Sequence, residues 1–313
     1  MMYSRFKALS NHSKKDLKKL QNSRVAIIGL GATGSAIAEN LARHGVKLFI
    51  IDRDYLEMND MYSSSIYTPE MCETSLPKAK AAEEYLSKFT EVEAVQGNLN
   101  SENISLLDDC DLIMDGTDNL ATRLLISEYC NKEDKTWIYT AAISENGYSM
   151  LFAEKCFKCI FEDVEAGTIE TCETAGILRE ISAISAAKSA QKAIKFLTGK
   201  EVEENLDMIP SGRSMDISCP GCEVCEENTY TRLESTGSTS AVCGKNKYHV
   251  DLNSDSIDLE EISDILNASL KNEYLVKASI DDRKLTVFKD GRAIVQANDK
   301  GHAEQLISET LGI

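Results

Sequence analysis

Positive charge and long apolar runs are what this chain is short of. Lysine and arginine number 34 against 51 aspartates and glutamates, giving a net charge of −17 and an isoelectric point near 4.8. Binding along a phosphate backbone would have to overcome that repulsion, so nucleic acid is not an expected partner. No apolar stretch approaches the roughly 20 residues that cross a bilayer. The start, Met1-Met2-Tyr3-Ser4-Arg5-Phe6-Lys7, is too polar for a signal peptide. These absences predict a cytoplasmic protein with no membrane partner, whose ten cysteines serve as metal-binding, reactive or buried thiols rather than as a disulfide framework. No internal repeat is evident, and 313 residues suggest two domains.

Residues 1–22 read as an N-terminal helical arm, Lys-rich and amphipathic over 13–22. Arg24-Val25-Ala26-Ile27-Ile28 is a buried-strand pattern running straight into the glycine turn Gly29-Leu30-Gly31-Ala32-Thr33-Gly34. A helix over 35–43 and a second apolar run over 46–51, ending in Asp52, complete a βαβ unit. Helix 78–89, strands 92–96 and 111–115, a helix after Asn119 and strand 137–142 continue the alternation. The predicted fold is α/β: a Rossmann-like, doubly wound, mostly parallel sheet. After Gly147 the pattern changes, with a strand at 148–152 and a long Ala/Ser/Ile-rich helix at 177–197. A Glu/Ser/Thr/Gly-rich linker at 230–241, within a longer stretch of that composition from 226, then separates residues 23–229 from a small α+β domain over 242–313. There a strand at 247–252, a helix at 258–270, two or three strands over 274–297 and a helix at 301–311 are expected.

A strand followed by three spaced glycines lets backbone approach phosphates, and the next helix aims its free N–H groups and positive dipole end at them. Asp52, closing the following strand, stands where a carboxylate takes ribose hydroxyls. These features point to a nucleotide but do not separate ATP from NAD. A second signature, Asp115-Gly116-Thr117-Asp118-Asn119, ends a later strand, so Asp118 would face the same crevice. A carboxylate beside phosphates suits Mg²⁺; capping of the helix that starts at Asn119 is the structural alternative. Two CxxC pairs, Cys156/Cys159 and Cys222/Cys225, supply the four thiolates of a closed structural zinc site tying distant segments together. A redox role for either pair alone is less apt, since neither opens a helix in a thioredoxin-like βαβ unit.

Taken together, residues 23–228 resemble the ThiF/MoeB/HesA family, the relatives of ubiquitin-activating enzymes. The resemblance is carried by the glycine turn at 29–34, Asp52 and Asp54, Pro77-Lys78, Asp115 to Asn119 with Arg123, the cysteine pairs, and Thr171-Cys172 before Ala175-Gly176. It implies ATP·Mg²⁺-dependent adenylation of the C-terminal glycine carboxylate of a small ubiquitin-like sulfur carrier by a homodimer, with release of pyrophosphate. Position by position, it implies that Asp52, beside Asp54, holds the ribose. Gly29, Gly31, the Ala32 N–H, Gly34 and Lys78 would contact phosphates, and Asp118, beside Asn119, would bind Mg²⁺. Arg5 matches an arginine that reaches across the dimer to the partner's ATP. Cys172 matches a cysteine that in some relatives forms a thioester or acyl persulfide; a buried, inert thiol is the bland alternative.

One stretch departs from the pattern. Between Asp54 and Pro77 the family has a segment like Ser-Asn-Leu-x-Arg-Gln, supplying an asparagine and an arginine to ATP. Here the spacing places Asn59-Asp60-Met61-Tyr62-Ser63-Ser64 on it, with Asp60 at the asparagine and Ser63 at the arginine. A serine cannot replace charge-assisted guanidinium–phosphate bonds. Arg53, Lys78, Lys80 or Arg123 would have to compensate. The departure keeps open a non-catalytic relative that acts as a binding module, and the shared fold keeps open a NAD-dependent oxidoreductase. Cys243-Gly244, beside the linker, is a weak candidate for a mobile thiol.

Overall fold

The computed structural model describes residues 3–161, 175–218, 220–234, 247–252, 257–280 and 283–311, in two compact units, Met1–Ser238 and Thr239–Ile313. No helix among the described residues is long and apolar enough to cross a membrane.

The first unit opens with helices α1 (Ser4–Lys7) and α2 (Lys14–Asn22), the latter started by a capping box between Ser13 and Asp16. Its sheet comprises β1 (Arg24–Ile28), β2 (Lys47–Asp52), β3 (Val92–Gln96), β4 (Leu112–Asp115), β5 (Trp137–Ile143), β6 (Asn146–Phe152), β7 (Asn205–Ile209) and β8 (Arg213–Asp216). The spatial order is β3-β2-β1-β4-β5-β6-β7-β8. Strands β3 to β5 pair in parallel, whereas β6, β7 and β8 add antiparallel. The parallel half is the one the alternating pattern predicts. The turn from β5 to β6, with Ser144 at φ +52°, is too short for a crossover, so the sheet continues antiparallel. Strands β7 and β8 were not foreseen: β8 is exposed along its whole length and carries no period-2 burial signal.

Helices α3 (Ala32–Ala42), α6 (Lys78–Leu86) and α8 (Arg179–Leu197) cover one face of the sheet, and α7 (Leu120–Lys132) covers the other; α4 (Asp60–Ser63) and α5 (Pro69–Glu73) are short turns of helix between β2 and α6. Period-2 alternation assigns the strand residues. Val25, Ile27, Leu48 and Ile50 pack with Ile37 and Leu41 of α3. Ala26, Ile28, Phe49 and Ile51 pack with Leu125 and Ile126 of α7. The Ala/Ser composition of α8 allows close approach to the sheet: a Cβ on Gly147 would lie 2.0 Å from Ser185 Oγ. The Ser189 hydroxyl sits 2.7 Å from those of both Thr140 and Ser149.

The expected linker begins later than residue 230. Helix α9 (Thr231–Glu234) docks on α7, where Glu128 Oε2 accepts the Arg232 and Leu233 N–H groups at 2.7 and 3.1 Å. An acidic side chain at a helix N-terminus satisfies amides that composition alone would leave to solvent.

The second unit is α+β. Strands β9 (Lys247–Asp251), β10 (Leu270–Lys271), β11 (Leu275–Ile280), β12 (Arg283–Phe288) and β13 (Arg292–Gln296) form an antiparallel sheet in the order β10-β11-β12-β13-β9. Helices α10 (Leu259–Leu266) and α11 (Lys300–Leu311) bury Ile262, Leu266 and Leu306 against Val276, Val287 and Val295. Helix α10 stops short of the predicted residue 270 because Asn267 takes the left-handed conformation, φ +48°.

Candidate active site

Strands β1 and β4 are neighbours, and β1 also pairs with β2 on its other side. Sheet order therefore reverses between β1 and β4, which is where open α/β sheets bind ligands at their carboxyl edge. The glycine turn follows β1, and Gly116 follows β4. Gly29 has φ +82°. A Cβ on Gly34 would lie 1.8 Å from the Gly29 carbonyl oxygen, and one on Gly116 would lie 2.5 Å from Gly34 Cα. These glycines hold three backbone segments together. Gly31 differs: a Cβ there meets nothing within 4 Å. It also precedes α3, whose N-terminus has no side-chain cap, so open space and free amide donors coincide beside Ala32. Phosphates fit that combination.

Asp52 is buried at the end of β2. Its Oδ2 accepts the Leu30 N–H at 2.5 Å and its Oδ1 accepts the Asp54 N–H at 2.6 Å, tying the glycine turn to the next strand. Burial, then the Asp54 carboxylate, push Asp52 up to about 6, against the opposing pull of Lys78 and the two N–H bonds. The chain after β2 folds back on itself, Leu56 N–H donating to the Leu76 carbonyl at 2.8 Å and Lys78 N–H to the Asp54 carbonyl at 2.9 Å. Lys78 is no solvated surface lysine: its side chain is 13% exposed and its Nζ lies 2.8 Å from Asp60 Oδ1. Burial alone would lower its pKa, but Asp60, Asp52 and Asp54 outweigh that and hold the ammonium above the ordinary lysine range. Asn59 is exposed at the start of α4, and Ser63 is half-buried at its end. The glycine turn, Asp52, Asp54, Asp60 and Lys78 therefore come together in one place.

The loop after β4 is braced from beneath. Asp115, fully buried, accepts the Thr117 N–H at 2.9 Å, the Thr117 hydroxyl at 2.6 Å and Arg123 Nε at 2.9 Å. Arg123 also donates to the Thr117 carbonyl and lies 5.0 Å from the centre of the Tyr139 ring. Through these contacts its guanidinium braces the loop after β4. Lys80 pairs at 2.9 Å with Glu83 on the outer face of α6, and Arg53 Nε lies 3.6 Å from Asp54 Oδ1. The cap of α7 is Asn119, whose side-chain oxygen accepts the Ala121 and Thr122 N–H groups at 2.8 and 3.4 Å. Asp118, for which capping was the alternative, is left exposed beside the crevice.

Sequence reasoning missed Tyr67, whose buried hydroxyl donates to the Leu30 carbonyl at 2.7 Å and clamps the glycine turn from outside. A lone tyrosine between two short helices carries no local signal of that contact. Arg5 is not brought to this site. It is exposed on α1, where the neighbouring Phe6 ring packs 5.5 Å from His44, just beyond the C-terminal end of α3 and so at the opposite edge of the sheet from the glycine turn. Cys172 and Cys243 lie outside the described residues.

The four cysteines do converge. Sγ–Sγ separations are 3.6 Å for Cys156/Cys159, 3.4 Å for Cys156/Cys222 and 3.7 Å for Cys159/Cys225, and all four sulfurs lie within 4.8 Å of one another. Tetrahedral zinc with bonds of about 2.3 Å places its sulfurs about 3.8 Å apart, so the cluster has the size of a Cys₄ site. Two turns build it, the one after β6 and the one at 220–226. Phe157 N–H donates to Ser127 Oγ at 2.8 Å, anchoring the first turn to α7.

A model described as the ThiF family matches residues 3–226. The chain is 30% identical to the sulfur carrier protein ThiS adenylyltransferase of Bacillus subtilis, over 99% of both chains. It is 28% identical to the protein of the same name from Escherichia coli, over 72% of this chain and 94% of that one. Among solved structures, the microcin C7 biosynthetic enzyme MccB in complex with N-formylated MccA superposes with a TM-score of 0.59 at 18% identity. That match covers 67% of this chain and 69% of MccB, and it speaks for the fold alone.

Proposed function

This chain belongs to the ThiF family, and from that premise we propose that it is an adenylyltransferase that uses ATP·Mg²⁺ to activate the C-terminal glycine carboxylate of a ubiquitin-like sulfur-carrier protein. The observation that carries the reading is the end-to-end match with a ThiS adenylyltransferase, which includes the second unit as well as the nucleotide crevice. A carboxylate oxygen of the carrier attacks the α-phosphorus, the bond from that phosphorus to pyrophosphate breaks, and an acyl adenylate with a good leaving group results.

Negative charge builds on the phosphates during that step, so donors fixed in advance where it develops are what the protein contributes. The uncapped N-terminus of α3 beside Gly31 and the buried Lys78 ammonium supply them. Asp52 takes the ribose hydroxyls, and Asp118, left free by the Asn119 cap, would hold Mg²⁺. Arg5, remote from its own crevice, serves the partner's site in a homodimer. Cys156, Cys159, Cys222 and Cys225 hold a structural zinc, and the thiols suit a reducing, cytoplasmic setting.

The test is ATP–pyrophosphate exchange by the purified protein with its carrier ending in Gly-Gly, and carrier-dependent exchange is expected. ATP bound without exchange would instead favour a degenerate binding module, the reading that Ser63 at the arginine position supports. Tighter binding of NAD than of ATP·Mg²⁺ would return the oxidoreductase.

A further inference from the structure

Two cations around the crevice are already matched to carboxylates, Arg123 to Asp115 and Lys78 to Asp60. The last match has a consequence for binding. Lys78 is 13% exposed and Asp60 15%, and the second oxygen of Asp60 accepts the Glu57 N–H at 2.8 Å, which fixes the carboxylate to its own loop. A phosphate arriving at Lys78 would meet an ammonium already paired and, beside it, a fixed negative charge with little water to screen it. Ser63, at the other end of the same short helix, has no charge to offset this.

We propose that Asp60 sets the affinity and phosphate-number selectivity of the site by competing with the triphosphate for the Lys78 ammonium. The inference rests on the reading of the crevice as an ATP site. Asp60 acts through Lys78 and is a positioning residue. In the nucleotide-free protein it keeps a buried lysine charged and in place; during binding it opposes ligands in proportion to the phosphate charge they bring near it. An amide of the same shape would keep the loop and withdraw the competition.

Calorimetric titration of the full-length protein with ATP·Mg²⁺ and with AMP tests this. Asp60→Asn is expected to bind ATP about ten-fold more tightly and AMP with unchanged affinity, since AMP brings no β- or γ-phosphate. Adding Asp60→Asn to Lys78→Met should give a smaller gain than in the wild-type background, because only the direct repulsion between Asp60 and the phosphates is then left to relieve. Equal or weaker ATP binding by Asp60→Asn, or an equal gain for AMP, would overturn the proposal, because a purely structural ion pair predicts loss or no discrimination. If the asparagine variant fails to fold, Asp60→Ser, checked by its unfolding midpoint, takes its place under the same criteria. ATP bound by neither the wild-type protein nor the variant would defeat the nucleotide reading itself, an outcome distinct from the first two.

Discussion

Two glycines of one turn should respond oppositely to the same methyl group. In Gly34→Ala the new Cβ would stand 1.8 Å from the Gly29 carbonyl oxygen, 2.9 Å from the Gly29 carbonyl carbon and 3.4 Å from Gly116 Cα. All three are backbone atoms at the ends of β1 and β4, so none can swing aside as a flexible side chain would. Helix α3 has to move off the sheet, at the upper end of the about 1–3 kcal/mol typical of overpacking. For a unit of this size that corresponds to a fall of about 5–10 °C in unfolding midpoint. In Gly31→Ala the Cβ meets no protein atom within 4 Å, and the residue's φ of −70° suits alanine. Its stability should change by no more than about 1 kcal/mol, the cost of a weaker N-cap. The methyl would nevertheless occupy the space assigned to phosphates, weakening ATP about ten- to hundred-fold. Differential scanning fluorimetry and ATP titration of both variants separate the effects. Normal ATP affinity in Gly31→Ala would refute the assignment of that space, and an unchanged midpoint in Gly34→Ala would refute the close-packing account.

Other expectations concern the cysteine cluster, Arg5 and Asp52. Elemental analysis should find about one zinc per chain, and Cys222→Ser should lose it together with much of the about 10 kcal/mol such sites contribute to folding; a metal-free protein of undiminished stability would dismiss the site. Arg5→Ala and Asp118→Asn chains, each inactive in exchange, should recover activity when mixed and allowed to re-pair, because one site of the mixed dimer is then intact. No recovery despite proven subunit exchange would place Arg5 outside the partner's site. Asp52 is raised from an ordinary 3.8 to about 6, so between those values the folded protein keeps a proton that the unfolded chain has released. Its burial therefore subtracts stability as pH rises from about 4 to about 6, at about 1.4 kcal/mol per unit. Ribose hydroxyls donate to the ionised carboxylate, so nucleotide affinity should climb over pH 5 to 7, and affinity that is flat or falling there would remove Asp52 from the ribose site.

Much of the site was legible in the sequence because its signals are local. A strand running into Gly29, Gly31 and Gly34 needs only neighbouring residues to specify a tight turn and a helix start, and Asp52 follows from the length of one βαβ unit. What was not legible was the use made of charged and polar side chains by remote partners. Arg123 reads as a spare cation until Asp115 and Tyr139 are seen around it. The choice between Asp118 and Asn119 as the α7 cap turns on a one-residue difference in backbone course.

Taken alone, the sequence determines that the first unit is a doubly wound sheet with a glycine turn, since β1 and β2 are continuous apolar runs of the kind buried on both faces of a parallel sheet and glycine spacing is backbone chemistry. It also determines that four thiolates are available in two turns. Only the tertiary structure decides that their sulfurs meet within 4.8 Å, that Lys78 is held by Asp60, and that Arg5 faces away from its own crevice. The physical reason is the same in each case. Backbone conformation is set by residues a few positions apart, whereas the energy of a charge or a thiolate depends on whatever distant segment the fold brings within a few ångströms of it.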